Sequence, residues 1–221
     1  MSQIAENLRL LDEKITKQTQ SFDRDPKDVN LVAVSKRQPP EKIQEALEAG
    51  HRLYGENRVQ EAYEHWTNHR EHYSDLKLHL IGPLQTNKTK EAVALFDVIE
   101  TLDREKLAKA LAKEMEKQDR SLPCFIQVNT GDEPQKAGIS PSDLPAFKEF
   151  CEGLGLNIIG LMCIPPIDEP PALHFAFLKK LAEENNLDHL SMGMSGDYEK
   201  AIALGATYIR VGTAIFGARD T

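Results

Sequence analysis

Eight short apolar runs recur along the chain, at about residues 29–35, 51–57, 77–82, 98–100, 123–128, 157–163, 188–191 and 206–211, and each gives way to a stretch with helical spacing. Alternation of this kind, with no hairpin signals between runs, demands a parallel sheet, because parallel neighbours need a crossover that a helix supplies. Eight such units in about 200 residues close into a β/α barrel. The competing arrangement, an open doubly wound sheet, usually carries a glycine-rich turn after its first strand. Here that turn is Lys36-Arg37-Gln38-Pro39. Ahead of the first run, Ile4, Leu8, Leu11 and Ile15 repeat at helical spacing, so one extra amphipathic helix comes first. The expected fold is α/β: a single (β/α)8 barrel domain over residues 1–221, with an N-terminal helix in 1–22 and the barrel strands and helices over 29–212.

Local signals refine this frame. Pro39-Pro40 stops the first strand and suits the first turn of a helix. Asp103 reads as a helix cap, and Ser140-Pro141 as a capped helix start. The helix over 171–184 reads with Leu173, Phe177, Leu178 and Leu181 on its packed side.

The net charge of -8 argues against a general nucleic-acid surface, which needs a basic excess. Cys124, Cys151 and Cys163 are widely spaced with no C-x-x-C, so neither a disulfide framework nor a zinc site is expected and a reducing compartment fits. The first residues, Met1-Ser2-Gln3-Ile4-Ala5-Glu6, lack the apolar stretch of a signal peptide, and no apolar run approaches a membrane span. A cytoplasmic protein is expected, with no nucleic-acid or membrane partner.

The first strand carries the chemistry. Leu31-Val32-Ala33-Val34-Ser35-Lys36 is a buried run that delivers one amine to its C-terminal end, where barrel active sites lie. Desolvation disfavours an ammonium ion, and a neutral amine attacks an aldehyde, so Lys36 is a Schiff-base candidate. Asn57, His79, Asn129, Ser191 and Arg210 stand at or near the ends of other strands and share the same mouth. After strands seven and eight, Ser191-Met192-Gly193-Met194-Ser195-Gly196 and Gly212-Thr213-Ala214-Ile215-Phe216-Gly217 supply hydroxyls and flexible backbone, where barrels often bind phosphate. A phosphate site, a lysine and a cation between them fit pyridoxal phosphate.

Three other patterns read as structural. Gly82-Pro83-Leu84-Gln85-Thr86-Asn87-Lys88-Thr89 has P-loop spacing, but Asn87 replaces the second glycine and Pro83 removes an N–H. His65 and His69 are a helical turn apart without an intervening catalytic Glu, which reads as a solvated face. Cys163 reads as a small core hydrophobe.

Taken in order, Val32-Ala33-Val34-Ser35-Lys36, Tyr54-Gly55-Glu56-Asn57, His79 through Lys88, Gly160-Leu161-Met162, Leu190 through Ser195, and Arg210 through Gly217 resemble the YggS/PROSC family of pyridoxal phosphate homeostasis proteins. The resemblance spans essentially the whole chain. It implies a fold-type III barrel similar to the N-terminal domain of alanine racemase, with pyridoxal 5'-phosphate as cofactor. Lys36 would carry it as a Schiff base, Arg210 would face the pyridine nitrogen, and Ser191, Ser195, Gly212 and Thr213 would hold the phosphate. Asn57, His79 and Met162 would line the ring pocket, the last on the resemblance alone. No metal site is implied.

An arginine facing the ring nitrogen weakens carbanion stabilisation, since a guanidinium does not surrender its proton. Alanine racemases also draw a second base from a C-terminal β domain, and here the chain ends at Thr221, straight after the last strand. The expectation is therefore a carrier rather than an enzyme, holding cofactor for vitamin B6 homeostasis, with indirect effects on amino-acid balance. Apo enzymes that use the same cofactor would be recipients, and the protein would be a monomer or weak dimer. The alternatives are a racemase or lyase of low activity and a Schiff-base aldolase acting on a sugar phosphate.

Overall fold

The computed structural model describes residues 2–217, and its sheet is a closed barrel in sequential order, β1 to β8. The strands are β1 (Asn30–Val34), β2 (Leu53–Glu56), β3 (Lys77–Leu80), β4 (Val98–Leu102), β5 (Pro123–Gln127), β6 (Asn157–Met162), β7 (His189–Met194) and β8 (Tyr208–Val211). All eight neighbouring pairs, including β1 with β8, are parallel. Helix α1 (Gln3–Gln20) precedes the barrel, and the crossovers contain α2 (Pro40–Glu48), α3 (Val59–His72), α4 (Thr89–Leu95), α5 (Glu105–Lys117), α6 (Leu144–Gly153), α7 (Pro171–Glu184) and α8 (Tyr198–Ala203). A one-turn helix, α9 (Thr213–Phe216), follows β8. The β/α barrel with one leading helix is thus the fold expected. Residue 1 and residues 218–221 of the expected span lie outside the described residues.

Register sorts the side chains. Val32 is level with Arg210, Gly55 with His79, and Met162 with both Gln127 and Ser191, so these residues share the inner face. The outward residues Ala33, Tyr54, Leu80, Ile99, Ile126 and Leu190 join the helices in the main core. Each fully buried leucine or isoleucine there contributes roughly 1.5–3 kcal/mol of transfer free energy. Through Ile4, Leu11 and Ile15, α1 packs against α2, α8 and α9. No described helix is long and apolar enough to cross a membrane.

Several local expectations are corrected. Arg104, not Asp103, is the N-cap of α5, because the Asp103 carboxylate takes the Arg104 guanidinium at 2.6 Å. Ser140 does stand at the N-cap of a 3-10 turn over Pro141–Asp143 that leads into α6, but its hydroxyl meets that of Ser142 instead of capping a backbone N–H. On α7 the packed side chains are His174, Phe175, Leu178, Leu181 and Ala182, whereas Leu173 is 66% exposed. Nor is His65 on a solvated face: its ring donates to the buried Glu56 carboxylate. The three cysteines are buried and unbridged, and burial pushes their thiols up to about 12.

Candidate functional site

At the C-terminal ends of the strands, Lys36, Asn57, Ser195, Arg210, Gly212 and Thr213 line one cleft of about 270 Å³. Lys36 sits two residues past the end of β1, half-buried, in a turn closed by the Gln38 N–H donating to Ser35 O at 3.1 Å. Pro39 and Pro40 follow, so the strand cannot carry on and the lysine stays at the mouth. Asn57 follows β2, and the chain after β3 crosses it so tightly that a Cβ on Gly82 would fall 2.2 Å from Asn57 O. Asn57 Oδ1 is buried with no hydrogen-bond partner among the described residues, an acceptor at the cleft wall. Such an atom calls for a donor from outside the protein.

Arg210 is only 4% exposed, inside the barrel, and its charge is balanced there. Its Nη1 donates to Ser191 Oγ at 2.6 Å and its Nη2 to Cys163 O at 2.8 Å. Ser191 Oγ in turn donates to Glu100 Oε2 at 2.6 Å, while His79 Nδ1 donates to Glu100 Oε1 at 2.6 Å. Burial alone would raise the Glu100 pKa, but the hydrogen bond and charge of His79, with Arg210 and Ser191, outweigh it and hold the carboxyl below its ordinary range. Glu100 therefore stays ionised and the buried guanidinium keeps a counter-charge.

This network redistributes the expected residues. Ser191, expected at the phosphate, is fully buried and its hydroxyl is committed to Glu100 and Arg210, so it stands beneath the cleft. His79 and Met162, expected around a ring pocket, are also buried and do not line the cleft. Ser195 does line it, accepting from the Gly212 N–H at 3.4 Å, which ties the end of β7 to the end of β8. Thr213 opens α9, whose first N–H groups have no partner within the helix. Asn129 is turned aside, bonded to Glu133 through its amide. In the P-loop-like stretch, Lys88 pairs with Glu91 at 3.2 Å.

Sequence reasoning passed over Glu100 and Gln38. Gln38 lines the cleft, and no periodic signal marks it. Glu100 had one: a single acid inside the apolar run Val98–Leu102, fully buried, requires a buried cation or donor.

Fold and cleft together define a class: a parallel β/α barrel with one lysine and one buried arginine in a cleft at the strand ends. A family model described as the alanine racemase N-terminal domain matches residues 1–220. The chain is 43% identical to the pyridoxal phosphate homeostasis protein of Pseudomonas aeruginosa, over 100% of this chain and 97% of that one. Among solved structures it is similar to PipY of Synechococcus elongatus, described with pyridoxal phosphate (PLP) bound, at 39% identity and a TM-score of 0.83, covering 97% of this chain and 100% of that one. Alanine racemase of Clostridium difficile shares the fold alone, at 12% identity and a TM-score of 0.71, over 98% of this chain and 57% of that one. The chain belongs to the pyridoxal phosphate homeostasis protein family, within the alanine racemase N-terminal domain class.

Proposed function

We propose that this protein binds pyridoxal 5'-phosphate in the strand-end cleft and takes part in holding and releasing it inside the cell. The observation that carries the reading is the gathering of Lys36, Arg210, Ser195, Gly212 and Thr213 around one cleft. The residues fit the group. They offer an amine for an aldehyde, hydroxyls and free N–H groups for a phosphate, and, in Asn57 Oδ1, a buried acceptor for a donor such as the ring hydroxyl.

When bound, pyridoxal phosphate supplies an aldehyde that condenses reversibly with an amine. Lys36 anchors the cofactor from its half-buried place in the turn after β1. Ser195, Gly212 and Thr213 orient the phosphate. Arg210, fixed by Ser191 and Cys163 O, presents a permanent cation on the wall of the cleft. It can donate a hydrogen bond to a ring nitrogen but cannot protonate it, which favours retention over turnover. The Cys163 thiol, pushed up to about 12, is no base at neutral pH. Apo enzymes of the same cofactor are the recipients this reading implies, in the cytoplasm.

The test is the absorbance spectrum of the purified protein before and after borohydride, with mass mapping of the reduced peptide. A yellow band that vanishes on reduction and a pyridoxyl mass on Lys36 are expected. A colourless protein that takes up no added cofactor would overturn the reading in favour of the sugar-phosphate aldolase.

A further inference from the structure

The residues on either side of Lys36 are held by carboxylates that lie outside the cleft. On one side, the hydroxyl of Ser35 donates to Glu56 Oε1 at 2.6 Å, and both residues are fully buried. On the other, the Arg37 N–H donates to the carboxylate of Glu61, on the first turn of α3. Arg37 itself has φ +56°, a left-handed conformation that side-chain-bearing residues avoid and that persists only where neighbours hold it.

Glu56 is itself anchored: Oε1 also accepts from Trp66 Nε1 at 3.0 Å and His65 Nδ1 at 2.9 Å, both on α3. Its other oxygen, Oε2, is buried without a partner among the described residues. A buried carboxylate with an unpartnered oxygen is a poor way to stabilise a fold, since an apolar residue would avoid that desolvation. Its retention needs another reason. Ligand atoms of Glu56, Glu61 and His65 lie within 4.8 Å of one another, so the imidazole sits against both acids and compensates them.

Resting on the reading of Lys36 as the anchoring amine, we propose that Glu56 and Glu61 are positioning residues that clamp Ser35 and Arg37 and so fix how the Lys36 amine enters the cleft. Neither needs to touch the ligand. The clamp makes α3 part of the site: a displacement of its first turn is passed to the Lys36 turn through the hydrogen bond from the Arg37 N–H to Glu61. What matters in each is an acceptor oxygen at the carboxylate position, so the amide should serve where the methyl does not.

The test compares Glu61→Ala, Glu61→Gln and Glu56→Gln with the parent chain. The first readout needs no cofactor: the rate at which Lys36 is reductively methylated by formaldehyde and cyanoborohydride, mapped by mass spectrometry against the exposed Lys77 as internal reference. The second is capture of added pyridoxal phosphate, read as the borohydride-trapped mass on Lys36 and as the circular dichroism of the visible band. Glu61→Ala is expected to shift the Lys36-to-Lys77 labelling ratio severalfold and slow trapping about tenfold, the scale expected for sub-ångström misplacement of a reacting group. Glu61→Gln and Glu56→Gln should restore both to within about twofold, because the acceptor remains. Parent-like labelling, trapping and dichroism in Glu61→Ala would overturn the proposal, as would equal losses in Glu61→Ala and Glu61→Gln. If the parent chain itself traps no cofactor, the functional reading fails, while the labelling ratio still decides the clamp.

Discussion

The buried guanidinium of Arg210 and the buried carboxylate of Glu100 are joined through one hydroxyl, that of Ser191, at 2.6 Å on each side. The arginine is thereby fixed in the barrel by charge from β4 as well as by its own strand. Glu100→Gln removes that charge and leaves the arginine uncompensated, an error that typically costs about 3–5 kcal/mol. Urea unfolding should show a lower midpoint with an unchanged slope, and Ser191→Ala a smaller loss of about 1–3 kcal/mol.

The same pair sets an acid limb. The folded-state pKa of Glu100 is depressed below its ordinary value of 4.5, with His79 and Arg210 overcoming burial. Its contribution to stability is therefore present above 4.5 and lost as pH falls through the lower folded value. Melting temperature against pH should fall in that window for the parent chain, and Glu100→Gln should flatten this part of the curve.

His65 works in the opposite sense. Its pKa is raised above 6.5, chiefly by the hydrogen bond to Glu56 and further by the charges of Glu56, Glu61 and Glu64. The imidazolium contributes stability that is full below 6.5 and lost as pH rises through the folded value. NMR titration of the His65 ring should report an upward shift, and Glu56→Gln should remove most of it.

Lys36→Ala tests the anchor without disturbing the core, since Lys36 is half-buried in a turn outside β1. The variant should show no reducible yellow band and a melting temperature close to that of the cofactor-free parent. Added pyridoxal phosphate should raise the melting temperature of the parent far more than that of the variant, following the difference in affinity.

Ser195→Ala removes the hydroxyl that accepts from the Gly212 N–H across the ends of β7 and β8. Loss of one hydrogen bond to a charged group is worth about 1.5–3 kcal/mol, or at least tenfold in affinity. Binding of pyridoxal phosphate should weaken by that factor, while pyridoxal, which lacks the phosphate, should be bound equally by parent and variant. Equal weakening for both ligands would remove Ser195 from the phosphate site.

Strand-end logic was enough to bring Lys36, Asn57, Ser195, Arg210, Gly212 and Thr213 to one cleft, because in a parallel barrel every strand terminates its chemistry at the same end. The same logic put Ser191 with them, but Ser191 lies inside β7, level with Met162 and Tyr208, and its hydroxyl points into the barrel to Glu100 and Arg210. His65 was misread because helical spacing does not say which side of α3 meets a buried acid from β2.

What the amino-acid order determined by itself was the alternation of apolar runs and helical stretches, the proline stop after Lys36 and the glycine-rich ends of the last two strands, all properties of residues near one another in the chain. The pairings of Arg210 with Glu100 through Ser191, and of Ser35 and Arg37 with Glu56 and Glu61, were decided only by the tertiary structure. They join residues on different strands and helices. Packing of the barrel and its helices brings Arg210, Ser191, Glu100, Ser35 and Glu56 into a low dielectric, where each must find a partner across the fold or be left uncompensated.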